Sequence, residues 1–228
     1  MKKNILFPVF LALVAFVAAS CDKDSEGLSR ITYYPSVEIL GEPEVIINIG
    51  ETYEDEGCYA ELNGEDVSNQ IVISSNVNNQ RIGIYSINYA AYNEDGFSAV
   101  ASRTVYVVDP NSVATIYTGE ILGRYGAPIF VTDNGDGTYH IDDLMAGYYF
   151  YHTYPGYEEA YGYDLHAEAD IVIADDNTIT QVRGGSWYFS AEVNLDSGIY
   201  DPDTKTFHLN VKYGENQILA VTLTAISK

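Results

Sequence analysis

The chain has 228 residues, 46% of them hydrophobic and 21 of them tyrosine, so it can bury a core and is not a disordered acidic tail. Its formal net charge of -22 repels phosphate backbones and anionic lipid, which excludes nucleic-acid binding and charge-driven membrane binding. Its length suggests one or two domains.

In chain order the first element is an export signal, residues 1 to 20: Met1-Lys2-Lys3-Asn4, then an apolar run from Ile5 to Ala19, then small residues at the exit. The run is short of the roughly 20 residues that a comfortable membrane span needs, and no later segment is long or apolar enough to be one. Removing residues 1 to 20 takes away Lys2 and Lys3 and no acid, so the charge of -22 becomes more negative still. Ala18-Ala19-Ser20-Cys21 resembles a bacterial lipobox, with Ala18 where leucine is commoner, and the resemblance implies that Cys21 becomes a lipid-bearing N-terminus. An ordinary signal peptide with a chance cysteine is the alternative. Cys58, the one other cysteine, is read as a small buried hydrophobe. Residues 21 to 30 form an acidic tether. In it Asp22, Asp24 and Glu26 resemble the signal that sends Bacteroidetes lipoproteins to the outer face of the outer membrane, although any solvated linker uses the same residue types.

After the tether, strand signals dominate: short runs of Val, Ile, Tyr and Thr separated by Asn-Gly, Asp-Gly and Asp-Pro punctuation, with no convincing helical period. The expected fold is all-β. Over residues 31–109 "SVEILG", "EVIINIG", "QIVISS", "RIGIYSINYAAY" and "SAVASRTVYVVD" predict an immunoglobulin-like sandwich of six or seven strands that lacks the Cys, Trp, Cys framework. Pro35, Gly41, Gly50, Tyr53, Asp55, Gly57, Gly83, Tyr85, Tyr89, Asp95, Gly96, Ala99, Arg103, Thr104, Val105, Val107 and Asp109 resemble the bacterial surface Ig-like repeat of Bacteroidetes lipoproteins, which implies a spacer or docking role. Phe97 departs from that pattern.

Pro110 cannot continue a central strand and marks a boundary. Over residues 114–228 about nine further segments, "YYFYHTY", "LHAEADIVIA" and "SWYFSAEVNL" among them, predict a small antiparallel barrel or sandwich. The order of the two modules resembles accessory lipoproteins of Sus-type uptake systems, in which a channel and a lid lipoprotein import nutrients.

Candidate chemistry is sparse. No Gly-x-Ser-x-Gly elbow occurs, and Cys58 lies in the other module from His140, His152, His166 and His208. The acid pairs Asp142-Asp143 and Glu158-Glu159 are read as solvated turns, because neighbours on a strand face opposite sides. His152, Glu158 or Glu159, and His166 match no common zinc spacing, and "DNGDGT" at 133–138 is explained by a hairpin turn. No metal, cofactor or catalytic residue is expected.

What remains is "AGYYFYHTYPGYEEAYGYDL", residues 146–165, with seven tyrosines. As a strand, Tyr149 and Tyr151 oppose Tyr148, Phe150 and His152, and one of these faces is core. Beyond Tyr154 the period fails at Pro155-Gly156, leaving Tyr157, Tyr161 and Tyr163 on a loop suited to stacking or peptide capture, or folded down as a lid. Tyr154, Tyr157, Tyr161, Tyr163 and Trp187 are the candidate contact residues. The expected protein is a non-catalytic, outward-facing lipoprotein that captures an oligosaccharide or peptide beside a Sus-type transporter and its lid lipoprotein. The alternatives are a structural docking subunit without a ligand and a divergent carboxylate-dependent glycan hydrolase.

Overall fold

The computed structural model describes residues 31–185, 187–189 and 192–228. The export signal, Cys21 and the tether acids Asp22, Asp24 and Glu26 lie outside the described residues. From residue 31 onward the described chain is nearly all β. The first unit pairs a three-stranded sheet, β1 (Ser36–Ile39), β3 (Cys58–Leu62) and β4 (Glu65–Asp66), with a four-stranded one. The second sheet runs in the order β2 (Glu44–Asn48), β7 (Ser98–Val108), β6 (Gly83–Tyr92), β5 (Val72–Ser75), with β2 parallel to β7. Alternation puts Ile87 and Tyr89 of β6 and Val105 and Val107 of β7 inside with Ile47, and Ala91 of β6 inside with Ala60 and Val67.

Several of the residues that carry the Ig-like resemblance converge in this interior. The Arg103 guanidinium is wholly buried, pairs with the Asp55 carboxylate, and donates to Tyr53 Oη at 3.1 Å and to the carbonyl oxygens of Glu42, at 3.0 Å, and Leu40. Tyr89 Oη donates to Asp55 at 2.7 Å. A buried guanidinium is tolerable only when its donors are spent in this way. Cys58 is half-buried against the same core, and burial raises its thiol pKa.

The chain leaves β7 through a turn in which Asn111 N–H donates to Asp109 Oδ1 at 2.8 Å and Asp109 N–H donates to Thr115 Oγ1 at 3.0 Å. It then builds an eight-stranded antiparallel sheet from β8 (Ile116–Ile121), β9 (Arg124–Asp133), β10 (Tyr139–Ile141), β11 (Ala169–Ile173), β12 (Ile179–Gly184), β13 (Val193–Asp201), β14 (Thr206–Tyr213) and β15 (Gln217–Ala225). The sheet order is β12-β11-β10-β9-β8-β15-β14-β13, and a bridge between Thr178 and Ile199 brings its two ends together into a near-closed barrel. Phe207, Leu209 and Val211 on β14, Leu219, Val221 and Leu223 on β15, and Ala127, Ile129 and Val131 on β9 point inward at every second position.

One expected strand is not a strand, and another is a strand only in part. "YYFYHTY" is a wide helical turn, a π-helix over Tyr148–Thr153, in which Tyr154 N–H reaches back to Tyr149 O at 2.9 Å. Gly147, at φ 72°, turns the chain out of extended geometry just before it, and consecutive Tyr148 and Tyr149 both pack on the core, which a two-residue period forbids. Of "SWYFSAEVNL", the last three residues, from Val193, lie in β13.

Candidate functional site

The one long excursion from the barrel joins β10 to β11. It leaves through Asp142-Asp143, buries Leu144, Met145 and Ala146, and then winds through the π-helix into a short helix, α1 (Tyr157–Tyr161). Gly156 at φ 79° and Gly162 at φ 71° bracket α1 and let the chain enter and leave it within one turn. The exposed tyrosines are therefore carried partly on a helix and not, as expected, on an irregular loop.

The rings of this excursion form a continuous strip. Tyr154 lies 4.9 Å from Tyr157, Tyr157 5.0 Å from Tyr161, Tyr161 5.7 Å from Tyr163, and Tyr163 4.5 Å from Tyr188. Tyr188 meets Phe189, and Phe189 returns to Tyr154 at 5.8 Å, which closes a loop of rings. Tyr157, Tyr161, Tyr163, Tyr188 and Phe189 are all exposed, Tyr161 most at 61%. Behind them Trp187 is only 7% exposed, lies 4.5 Å from Tyr149 and 4.7 Å from Phe189, and donates its indole N–H to Leu165 O at 3.0 Å. Trp187, anticipated among the contact residues, is thus the support of the platform, its donor already spent. Tyr188 and Phe189 are contact candidates that sequence reasoning missed. Only the aromatic triplet Trp187-Tyr188-Phe189 hinted at them, and nothing in it points to a strip some 25 residues upstream.

Beside Tyr188 opens a cleft of about 310 Å³ lined by Asp164, His166, Glu168, Trp187 and Tyr188. His166 Nδ1 and Asp164 Oδ1 are 3.0 Å apart. A hydrogen bond with Tyr163 raises the pKa of the Tyr188 hydroxyl.

Other candidates resolve differently. Asp143 is buried and Asp142 half-buried, which corrects the reading of solvated turns. Asp143 Oδ1 accepts the N–H of Met145 at 2.9 Å and of Ala167 at 3.0 Å, while Oδ2 accepts that of Gly147 at 2.8 Å, so one carboxylate ties both ends of the excursion together. Asp142 accepts Phe130 N–H at 3.0 Å, and desolvation pushes its pKa up to about 7. Both acids serve backbone amides. Glu158 and Glu159 are exposed in the first turn of α1, as a solvated reading requires. The "DNGDGT" segment is a hairpin turn whose Asp133 and Asp136 accept the N–H groups of Gly135 and Thr138. Next to it Asp170 joins His140, at 2.8 Å, to Arg183, at 2.5 Å, across three strands. Among the described residues no group of three His, Cys, Asp or Glu side chains is placed to hold a metal ion.

Comparison with known proteins places these features. A family model for a bacterial surface protein Ig-like domain matches residues 37–107, and a model for the C-terminal domain of BT2262-like proteins matches residues 75–225. The lipoprotein BT2262 from Bacteroides thetaiotaomicron, known from a crystal structure, is 28% identical over 84% of this chain and 100% of its own, with a TM-score of 0.55. The M60 catalytic domain of Clostridium perfringens ZmpB with its CBM51 domains is 12% identical over 86% of this chain and 21% of its own, with a TM-score of 0.30, too low to carry an argument. No curated protein matches the chain.

Proposed function

The chain belongs to the BT2262-like lipoprotein family, and from that premise we propose that it is a non-catalytic capture subunit, anchored by lipid on Cys21 and displayed on the outer face of the outer membrane. The observation that carries this reading is the strip of exposed rings from Tyr157 to Phe189, braced from behind by Trp187 and Tyr149. A soluble protein rarely leaves so many contiguous aromatic faces in water unless something covers them. Rigid rings on a fixed backing also bind at low entropic cost, because they have few rotors to freeze. The Ig-like unit then serves as a spacer between the tether and the platform, and the natural setting is beside a transporter and lid lipoprotein that import oligosaccharide or peptide.

A catalytic reading has less to stand on. Asp142 and Asp143, whose pKa values desolvation raises, are engaged by backbone N–H groups and are not among the residues that line the cleft beside Tyr188. The test compares wild type with the Tyr157→Ala/Tyr161→Ala/Tyr163→Ala variant for retention of fractionated oligosaccharide and peptide pools, alongside melting curves. The variant should melt within a few degrees of wild type and lose retention. Equal retention by both proteins, or a variant that unfolds far below wild type, would show that these rings are a lid and not a site.

A further inference from the structure

Carboxylates stand at both ends of the ring strip. Asp164 and Glu168 line the cleft at the Tyr188 end, and Glu158 and Glu159 stand on α1 at the Tyr157 end. Among the described residues Glu158, Glu159 and Glu168 have no ion-pair partner, and no lysine or arginine lines the cleft. Of the side-chain donors nearby, the Trp187 N–H is spent on Leu165 O, the Tyr188 hydroxyl on Tyr163, and one His166 nitrogen lies against Asp164, while the other tyrosine hydroxyls can donate as well as accept. The strip thus offers ring faces beside carboxylates with no lysine or arginine in the cleft, and a ring face is itself the negative side of a quadrupole. Ammonium and guanidinium groups bring the positive charge that both the carboxylates and the ring faces attract, which a neutral sugar does not. The whole chain, at -22, adds a field of the same sign.

Resting on the capture reading, we propose that the occupant of this platform is a basic polypeptide segment. Its lysine or arginine side chains lie over Tyr157, Tyr161, Tyr163 and Tyr188 and pair with the carboxylates at the two ends. Ring steps of 4.5 to 5.7 Å carry a cation from one face to the next. Acids at both ends of the strip suit a chain with several positive side chains better than a single small amine. An extended polypeptide presents a side chain to one face about every 6.6 Å, which is compatible with that spacing.

The single tryptophan supplies the readout, since Trp187 lines the cleft and touches Phe189. The probes are octalysine, its fully ε-acetylated form, a neutral maltoheptaose and a chitosan hexamer. Octalysine should shift Trp187 emission saturably, and acetylated octalysine and the two sugars should not. The Tyr157→Ala/Tyr161→Ala/Tyr163→Ala variant, whose net charge is unchanged, should bind octalysine at least about tenfold more weakly, as the loss of several cation–ring contacts demands. Glu158→Gln/Glu159→Gln/Glu168→Gln should weaken it comparably. If octalysine binds the ring variant as well as wild type, it is adhering to the acidic surface at large and the proposal fails. Saturation by maltoheptaose or chitosan in place of octalysine would overturn the basic-peptide assignment while leaving capture by the rings intact. A lack of response to every probe would also overturn it, and the retention assay on natural pools then judges the capture reading separately.

Discussion

Asp142 shows how little a residue's neighbours in sequence say about its environment. Two adjacent acids before an apolar stretch look like a solvated turn, yet the amides they serve belong not only to the nearby Met145 and Gly147 but to Phe130 and Ala167, both distant in the chain. Folding buries Asp142 and raises its pKa from 3.8 to about 7, so between those values the folded state holds a proton that the unfolded state has released. Stability contributed by this group is therefore present at low pH and is lost as pH rises from about 4 to about 7. Asp142→Asn keeps an acceptor for Phe130 N–H and removes the titration. The variant should gain on wild type as pH rises, by up to roughly 4 kcal/mol at pH 8 if the full shift is expressed. Urea melts at pH 5 and pH 8 test this, and an unchanged difference between the two proteins would show that Asp142 does not titrate in that range. Tyr161 and Trp187 make the opposite contrast, the one legible as exposed from the failure of period after Pro155, the other offered as a contact and found to be the backing.

At the scale of elements, the strands were the legible part, because alternation is a local signal: β6, β7, β14 and β15 bury every second residue along much of their length, as their sequences read. The π-helix was not legible. Its tyrosines have strand propensity, and what overrides propensity is the backbone at Gly147, where φ is 72° and a Cβ would stand 2.4 Å from the Ala127 methyl on β9. Gly147→Ala must meet both the left-handed conformation and that contact. We expect a loss of about 2 kcal/mol or more and a displaced excursion, seen as a lower urea midpoint together with altered Trp187 emission. A variant as stable as wild type, with unchanged emission, would mean that the turn is not set by this glycine. The partnership of Tyr188 and Phe189 with α1 was equally out of reach, since it depends on where β12 delivers the chain, and no spacing rule encodes that.

For the whole molecule, an all-β chain with an Ig-like unit was readable from composition, punctuation and the residues around Arg103, and a second antiparallel β module was expected as a barrel or sandwich, while the acidic tether lies outside the described residues. In the proposed setting the capture platform is held to the cell by lipid on Cys21. Cys21→Ala should abolish incorporation of a palmitate analogue and release the protein from the membrane fraction, and label retained by the variant would refute the anchor. Replacing Asp22, Asp24 and Glu26 by Ala should leave lipidation intact yet shield the protein from protease added to whole cells, and unchanged shaving would remove these acids as the surface address.

The central claim, that the ring strip is the surface through which this protein captures its occupant, is tested most directly by a photo-crosslinking residue placed on intact cells at position 161, with position 125 as control. Tyr161 and Tyr125 are 61% and 74% exposed, and only Tyr161 belongs to the strip. A discrete adduct from position 161, with none from position 125, is the predicted result. No adduct from 161, or the same adducts from both positions, would contradict it.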